Sequence, residues 1–422
     1  MYIKFLSVDA KGAACVPSLM GFCVVKLMKA KHILFIFVSA FSLNGANAAV
    51  DLDKGIVKEI STTLDEAAKK ENFSGTFLLA KQDQILFQKA YGLAYRPFNV
   101  PNDLDTKFSM ASMSKLFTSV AIAQLVERKK LSLTDPISLY LKGWLDKKIA
   151  KQITVQDLLI HSSGLGSFFD DKDFQEKGGS GLYIAVKDYQ PLVLKEKPRF
   201  KPGTSQLYSS TGYLLLGAII EKVSGQTYFD YVQEHIFTPA GMTNSGFFQM
   251  DDSVSNLAIG FGREKIDGKI SWKNNLFSNV LKGSPAGGGF STVGDMFRFM
   301  QAITTYKLVS KATARELLSG EIVRPPNAKY HKEKIVVQGQ TYEVVFSEYG
   351  PSGLWNRYGL EIFSSRPLSI GHSGGGMRGI NDDLIIYPTE GYLIIYFSNY
   401  TGEGILDPRN KIEELLKNSS LR

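Results

Sequence analysis

The most restrictive pattern in the sequence is a predicted helix that opens with a serine and a lysine one turn apart. Ser112-Met113-Ser114-Lys115 precedes an almost wholly apolar stretch at residues 116–125. Residues three apart share a helix face, so the Lys115 amine can reach the Ser112 hydroxyl, and the helix N-terminus adds partial positive charge and free N–H groups. This arrangement predicts a serine nucleophile with its own base.

The N-terminal region has the pattern of an export signal. Lysines precede an apolar run at residues 33–43, and Ala46-Asn47-Ala48 follows as a small-residue cleavage site. The run is shorter than the roughly 18 residues of a membrane-spanning helix, so we expect cleavage after Ala48, with a retained membrane anchor as the alternative. Met28 is the expected translation start. The sequence therefore predicts a periplasmic or secreted protein in which residues 1–48 are an N-terminal extension and signal peptide.

Composition and charge restrict the possible functions. At 422 residues with 44% hydrophobic side chains, the chain can bury a large core. The formal net charge of +8 falls to +4 without residues 1–48, which carry five lysines and one aspartate, and this charge is too small to indicate nucleic-acid binding. Both cysteines, Cys15 and Cys23, lie in the same segment, so the mature chain would have no thiolate metal ligands. The remaining histidines show no metal-ligand spacing, and we expect no metal and no cofactor.

Strand patterns at both ends of the chain predict one sheet. Strand-like apolar runs stand at four places: 75–80, 85–91, 384–387 and 392–397. A helical spacing of apolar residues over 56–67 precedes the first of them. We therefore predict an α/β (α+β) fold with an antiparallel sheet built from both chain ends and flanked by helices. The sheet part comprises 49–130 and 284–422, and a mostly helical insertion comprises 131–283. Segment 322–349 is predicted to form an exposed hairpin or flap.

Three short motifs carry a resemblance to a known family. In chain order they are Ser112-Met113-Ser114-Lys115, Tyr208-Ser209-Ser210 and His372-Ser373-Gly374. Four further stretches support it: 131–136, 158–165, 201–204 and 239–242. Over about residues 56–399 the sequence resembles the penicillin-recognising serine hydrolases, in the branch that contains class C β-lactamases, DD-peptidases and related esterases. The resemblance implies a β-lactamase/transpeptidase-like fold and an acyl-enzyme formed on Ser112.

By this resemblance, Lys115 and Tyr208 handle the proton of Ser112. A free lysine titrates near 10.4, so a neutral amine at pH 7 requires a pKa lowered by roughly 3 units, which burial and neighbouring groups must supply. The usual pKa of tyrosine, near 10, raises the same problem, so we treat the two side chains as a coupled pair. The N–H groups of Ser112 and Gly375 form the implied oxyanion hole.

Two motif positions depart from the commoner pattern of the family. Ser210 stands where many relatives carry asparagine, so its contact with a substrate carbonyl is weakened, carried by water or irrelevant. His372 stands where β-lactamases usually carry lysine. Because histidine has a reference pKa near 6.5, we expect activity to change between about pH 5.5 and 7.5 if His372 must hold one protonation state. Ser373 and Gly374 complete the third motif as predicted substrate contacts.

Three further residues have competing interpretations. Arg378 is a candidate for binding a substrate carboxylate in place of the missing lysine, and a solvated loop arginine is the alternative. His161 is interpreted as structural. Ser112, His372 and Asp382 have the residue types of a Ser/His/Asp triad. Because Lys115 already stands one helical turn from Ser112, no such triad is needed.

The sequence thus predicts a serine hydrolase that acts on D-amino-acid peptides or small carboxylic esters through an acyl-enzyme. One alternative is a β-lactamase, which the missing lysine disfavours. Another is a non-turnover penicillin-binding or sensor module that is acylated at Ser112 and does not deacylate. A small-molecule or peptide substrate is the expected partner, with no nucleic acid and with membrane contact only through an uncleaved signal segment. The chain is expected to be a monomer.

Overall fold

The chain divides into two units, Met1–Ile56 and Val57–Arg422. A computed structural model describes residues 15–17, 23–25, 42–177, 181–278, 280–326, 328–337, 340–365, 368–409, 411 and 413–415. In the first unit, β1 (Cys15–Pro17) pairs antiparallel with β2 (Cys23–Val25). Helix α1 covers Ser42–Lys69. Most of the predicted signal peptide, including its apolar run up to residue 41, lies outside the described residues.

A six-stranded antiparallel sheet forms the centre of the second unit. Its strands are β3 (Gly75–Lys81), β4 (Gln84–Tyr91), β14 (Glu361–Ser365), β15 (Leu368–Met377), β16 (Ile380–Tyr387) and β17 (Tyr392–Ser398), in the order β14-β15-β16-β17-β3-β4. Every residue of β17 is buried, as are the first six of β3, because both strands are covered on both faces. The predicted antiparallel sheet from both chain ends is confirmed.

Ten further α-helices belong to the described part of the second unit. They are α2 (Lys115–Glu127), α3 (Lys147–Ala150), α4 (Val155–Leu159), α5 (Lys172–Lys177), α6 (Gln190–Val193), α7 (Ser210–Ser224), α8 (Tyr228–Val232), α9 (Thr238–Ala240), α10 (Val293–Thr304) and α11 (Lys311–Leu317). Helix α2 packs against α7, α8 and α11, and its first eleven residues are all buried. Helix α10 packs on strands β3 and β17. No helix in the described ranges combines the length and apolar character needed to cross a membrane.

The remaining strands form small sheets around these elements. They are β5 (Leu93–Tyr95), β6 (Val100–Pro101), β7 (Phe108–Ser109), β8 (Phe261–Ile266), β9 (Lys269–Asn274), β10 (Phe290–Ser291), β11 (Tyr330–Val337), β12 (Gln340–Ser347), β13 (Gly350–Pro351) and β18 (Tyr400–Gly402). Strands β11 and β12 pair antiparallel, so the hairpin expected within 322–349 is present.

The segment 131–283 holds more than the predicted helices. Its hairpin β8–β9 extends a sheet in which β8 pairs in parallel with β18, at the far end of the chain. One hydrophobic core also joins this segment to the sheet, since Tyr213 and Leu158 belong to the same buried cluster as Leu384 and Phe397. Because the two parts share a core, the structure does not divide them into separate units.

Candidate active site

Ser112 lies on a tight turn, and a glycine-rich loop packs against the backbone of this turn. A single 3₁₀ turn covers Ala111–Ser114 and leads directly into α2. Ala111 has a left-handed φ of 35°, and its carbonyl accepts a hydrogen bond of 2.9 Å from the Gly288 N–H. A Cβ on Gly287 would lie 2.6 Å from the same carbonyl oxygen. The loop can therefore approach the turn only because it lacks side chains, and it fixes the direction of the Ser112 hydroxyl.

The Lys115 amine contacts the Ser112 hydroxyl, as the helical spacing predicts. Its Nζ lies 3.0 Å from Ser112 Oγ and also donates to the Ala286 carbonyl oxygen. The Lys115 side chain is fully buried, and its Nζ stands 5.0 Å from the ring centre of Tyr208 and 5.5 Å from that of Tyr213. Burial lowers the pKa of Lys115 from 10.5 to about 7. A large share of this amine is therefore neutral at pH 7, and its lone pair can take the serine proton.

Tyr208 contacts the same oxygen from the loop before α7. Its hydroxyl donates a hydrogen bond of 2.9 Å to Ser112 Oγ. Burial raises the pKa of Tyr208 above its usual value of 10, so the phenol keeps its proton at neutral pH. Burial thus lowers the pKa of Lys115 and raises the pKa of Tyr208. The coupled pair expected from the sequence therefore consists of a base, Lys115, and a proton donor, Tyr208.

His161 positions the loop that carries Tyr208. Its Nδ1 accepts a hydrogen bond of 3.0 Å from the Ser209 N–H, and its ring lies 4.6 Å from the ring of Tyr208 and 4.4 Å from that of Trp355, centre to centre. Burial, with smaller contributions from Lys115 and His372, holds the pKa of His161 well below 6.5. The side chain is a fully buried acceptor that holds a backbone N–H, which agrees with its interpretation as structural.

His372 is a neutral, buried side chain, which corrects the expected pH dependence. Burial and then the charge of Lys115 lower its pKa from 6.5 to about 3. Its Nδ1 lies 2.7 Å from the Ser373 carbonyl oxygen, so Nδ1 carries the hydrogen and Nε2 is unprotonated. A group with this pKa does not change charge between pH 5.5 and 7.5. A change of activity in that range has to come from another group, such as Lys115, whose pKa burial lowers to about 7.

Asp382 does not complete a Ser/His/Asp triad. Neither carboxylate oxygen has a hydrogen-bond partner, and the Nδ1 of His372 is bound to a backbone carbonyl instead. The carboxyl lies under Gly374, where a Cβ would meet Asp382 Oδ1 and the Met110 carbonyl oxygen, each at 2.3 Å. Burial and the neighbouring Asp383 raise the pKa of Asp382 well above 3.8. Both effects favour the neutral form of this buried carboxyl.

Gly375 lies at a bulge of strand β15, at the edge of the site. The pairing between β15 and β16 is interrupted between Gly374 and Met377, so Gly375 takes no part in the ladder. A bulge of this kind turns backbone groups away from the neighbouring strand. Gly375 and Ser112 both line one cavity of about 310 Å³. The structure thus places the two predicted oxyanion-hole residues on the same cavity.

The cavity includes some of the predicted substrate contacts and leaves out others. Ser112, Tyr208 and Ser210 line it, and Ser210 is the first residue of α7. Gly374 does not line it. Ser373 pairs with the buried Asp383 across strands β15 and β16, so its side chain lies on the same face of the sheet as that carboxyl, and it does not line the cavity. The substrate contact expected for Ser373 therefore stays a prediction.

Arg378 also lies apart from the cavity. Its guanidinium donates to Glu264 Oε1 at 3.1 Å and to the Asn274 carbonyl oxygen at 3.3 Å, both on the β8–β9 hairpin. It does not line the cavity. The structure supports the alternative of a partly exposed surface arginine, here paired with a carboxylate.

Several residues of the site carry no sequence motif. Phe169, Tyr189, Val280 and Met377 line the cavity, and the Ala286 carbonyl binds Lys115. The run of three glycines at 287–289 was the one available signal, because such a run permits close backbone contact. Within the described ranges, no group of three or more His, Cys, Asp or Glu residues is arranged to hold a metal ion.

The chain is similar in sequence and structure to proteins of known type. A family model described as Beta-lactamase matches residues 60–416. Putative penicillin-binding protein PbpX of Bacillus subtilis (strain 168) is 29% identical over 257 residues, 60% of each chain. Teichoic acid D-alanine hydrolase of Staphylococcus aureus is 27% identical over 255 residues, again 60% of each chain. The chain thus spans about 60% of the length of both relatives.

A solved structure extends the similarity over most of the fold. The penicillin binding protein from Bacillus halodurans has 29% sequence identity and a TM-score of 0.67, and the match covers 84% of this chain and 98% of that chain.

Proposed function

Because the chain belongs to the Beta-lactamase family, as its motifs predict, we propose that it is a serine hydrolase that cleaves an ester or amide bond through an acyl-enzyme on Ser112. One observation carries the proposal. The Ser112 oxygen lies within hydrogen-bond distance of both a buried amine, at 3.0 Å, and a phenol, at 2.9 Å. A hydroxyl with a base and a proton donor on the same oxygen is the arrangement that nucleophilic catalysis requires.

In the acylation step, neutral Lys115 takes the proton of Ser112 while the serine oxygen bonds to the substrate carbonyl carbon. One N–H of the amine stays on the Ala286 carbonyl, which aims its lone pair at Ser112. The N–H groups of Ser112 and Gly375 would stabilise the negative oxygen of the tetrahedral intermediate, and loss of one such donor typically costs about 10²–10³ in rate.

Tyr208 is the proton donor for the leaving group. Its phenol keeps its proton because burial raises its pKa, so it can donate that proton to the departing oxygen or nitrogen and recover one from protonated Lys115. Water then attacks the acyl carbon, gives up a proton through the same pair, and restores the Ser112 hydroxyl. All protons are conserved within the cycle, and the step requires no group beyond these side chains and water.

The substrate classes we propose are D-amino-acid peptides or small carboxylic esters. The similarity to a relative named teichoic acid D-alanine hydrolase supports a substrate that contains D-alanine. β-Lactam hydrolysis is less favoured, because neutral His372 supplies no permanent charge for the carboxylate of a β-lactam.

Steady-state turnover with a panel of substrates tests the proposed function. Purified protein and its Ser112→Ala variant are compared on a p-nitrophenyl ester, a D-alanyl peptide and a chromogenic cephalosporin. We expect continuous turnover of the ester or the peptide, and none with Ser112→Ala. Turnover of the cephalosporin alone would identify a β-lactamase. A burst of one equivalent followed by a stable adduct would identify a non-turnover module.

We also propose that the protein works outside the cytoplasm, as its N-terminal pattern predicts. Fractionation of expressing cells, with mass determination of the exported form, tests this. Export with an N-terminus at residue 49 is expected, and cytosolic protein that retains residue 28 would contradict the proposal.

A further inference from the structure

The cavity beside Ser112 is lined without charge. Of the described residues that line it, none is a lysine, arginine, histidine, aspartate or glutamate. The polar lining consists of hydroxyls and backbone groups, such as those of Ser210 and Gly375. A substrate carboxylate or ammonium group held here would lose its hydration without gaining an ionic partner, which is costly.

The cations near the cavity are already engaged. Lys115 is fully buried against Ser112 and Ala286, where it is required as the base. Arg378, the residue after cavity-lining Met377, forms an ion pair of 3.1 Å with Glu264. No other guanidinium or ammonium group lies on the cavity wall within the described ranges. A carboxylate therefore finds no fixed positive partner beside the reacting bond.

Two carboxylates near the cavity are engaged as well, and Asp382, under Gly374, does not line it. Asp188, beside Tyr189, accepts hydrogen bonds of 3.0 Å and 2.7 Å from the N–H groups of Ile184 and Ala185. Glu196 accepts a bond from the Gly166 N–H at 2.9 Å and another from the Thr211 hydroxyl. An ammonium group of a D-amino acid would have to compete with these bonds to find a counter-ion.

The apolar part of the lining is packed against further aromatic rings. Phe169 and Tyr189 belong to an aromatic cluster in which the Phe168 ring lies 4.4 Å from that of Phe169 and 4.9 Å from that of Tyr189, centre to centre. Val280 and Met377 add aliphatic surface. A preformed apolar wall of this kind favours an acyl or alcohol group without charge.

Given the proposed function, on which this inference rests, we infer that the cavity selects uncharged substrates. The chain would hydrolyse neutral esters, or amides whose amino and carboxyl groups are blocked, with an apolar group against Phe169 and Tyr189. The inference narrows the substrate classes proposed above: peptides with a free terminal carboxylate and esters of unblocked D-amino acids would be poor substrates, so a D-amino-acid substrate would have to carry blocked groups.

Two matched substrate pairs test the inference. The first pair is the p-nitrophenyl half-ester of adipic acid and the same compound with its free carboxyl methylated. The second is D-alanine p-nitroanilide and its N-acetyl derivative. We expect kcat/KM to be at least about 100-fold higher for the uncharged member of each pair that is turned over, after subtraction of the rate with Ser112→Ala. Charged members within about threefold of the uncharged ones, or better than them, would overturn the inference while leaving the proposed function intact. No turnover of any member above the Ser112→Ala rate would overturn both.

Variants locate the selectivity. Met377→Lys places a cation on the cavity wall. We expect it to raise the kcat/KM for the carboxylate substrate, relative to the kcat/KM for the methylated one, at least tenfold. Met377→Leu should leave this ratio of kcat/KM values unchanged. Arg378→Ala should also leave the ratio unchanged, because its guanidinium is bound to Glu264. Loss of carboxylate turnover in Arg378→Ala would show that Arg378 is a carboxylate receptor and would overturn the inference.

Discussion

The rate of acylation should follow the titration of Lys115. Burial lowers its pKa from 10.5 to about 7. At pH 7 roughly half of the amine is then neutral, compared with about 3 in 10⁴ for a lysine of ordinary pKa, so burial increases the reactive form about 10³-fold. Because the neutral form is the base, the acylation rate should rise tenfold for each pH unit up to about 7 and level off above it.

Single-turnover release of p-nitrophenol from an activated ester, measured from about pH 5 to pH 9, gives this profile directly. Burial also raises the pKa of Glu361 to about 7, so a Glu361→Gln variant is measured beside the wild type and should keep the inflection. The matched control is His372→Gln, which removes a histidine near Lys115 whose pKa is already about 3. We expect the inflection near pH 7 to remain in this variant, whatever the absolute rate. A flat wild-type profile, or an inflection that disappears with His372→Gln, would refute the assignment of Lys115 as the base.

Three further variants probe the site and its support. Tyr208→Phe removes the phenol that donates to Ser112 and should lower kcat by a factor of about 10²–10⁴. The assay uses an unactivated ester, because its leaving group needs protonation. An unchanged kcat would exclude this role of Tyr208. Gly374→Ala would place a methyl 2.3 Å from an oxygen of the buried Asp382 carboxyl and should lower the free energy of unfolding by about 1–3 kcal/mol. Gly375→Ala, whose methyl would have its nearest neighbouring atom at 3.5 Å, should not lower it. Urea denaturation measures both variants, and equal stabilities would be inconsistent with the packing. Arg409→Met removes the half-buried guanidinium that lies 3.2 Å from the buried Asp383 carboxyl. It should cost about 3–5 kcal/mol, because it leaves that carboxyl without its partner. Thermal unfolding measures the loss, and a value below about 1 kcal/mol would contradict the pairing.

The arrangement of the nucleophile could be predicted because it is local. Ser112 and Lys115 are three residues apart at the start of one helix, so helix geometry alone brings their side chains together. Tyr208 approaches from about a hundred residues away, and only its motif pointed to it. The antiparallel sheet from both chain ends was likewise predictable, because alternating and continuous apolar runs mark strands wherever they stand in the chain.

The charge states could not be predicted, because they depend on burial. His372 has a reference pKa near the physiological range, and its neutral state follows only from its position beneath Trp355 and near Lys115. Arg378 follows the third motif closely in sequence, yet its contacts are with a hairpin more than a hundred residues earlier. The aromatic cavity wall has no motif at all, because packing against distant residues, rather than spacing, brings Phe169 to Ser112.

The account depends on covalent attack by Ser112, and trapping the acyl-enzyme tests this most directly. Protein mixed with an activated ester, quenched in acid within the burst phase, is analysed by intact mass and peptide mapping. The account predicts a mass increase of one acyl group on the peptide that contains Ser112, formed much more slowly in Lys115→Met. An adduct on another residue, or an adduct that forms equally fast without the Lys115 amine, would contradict it.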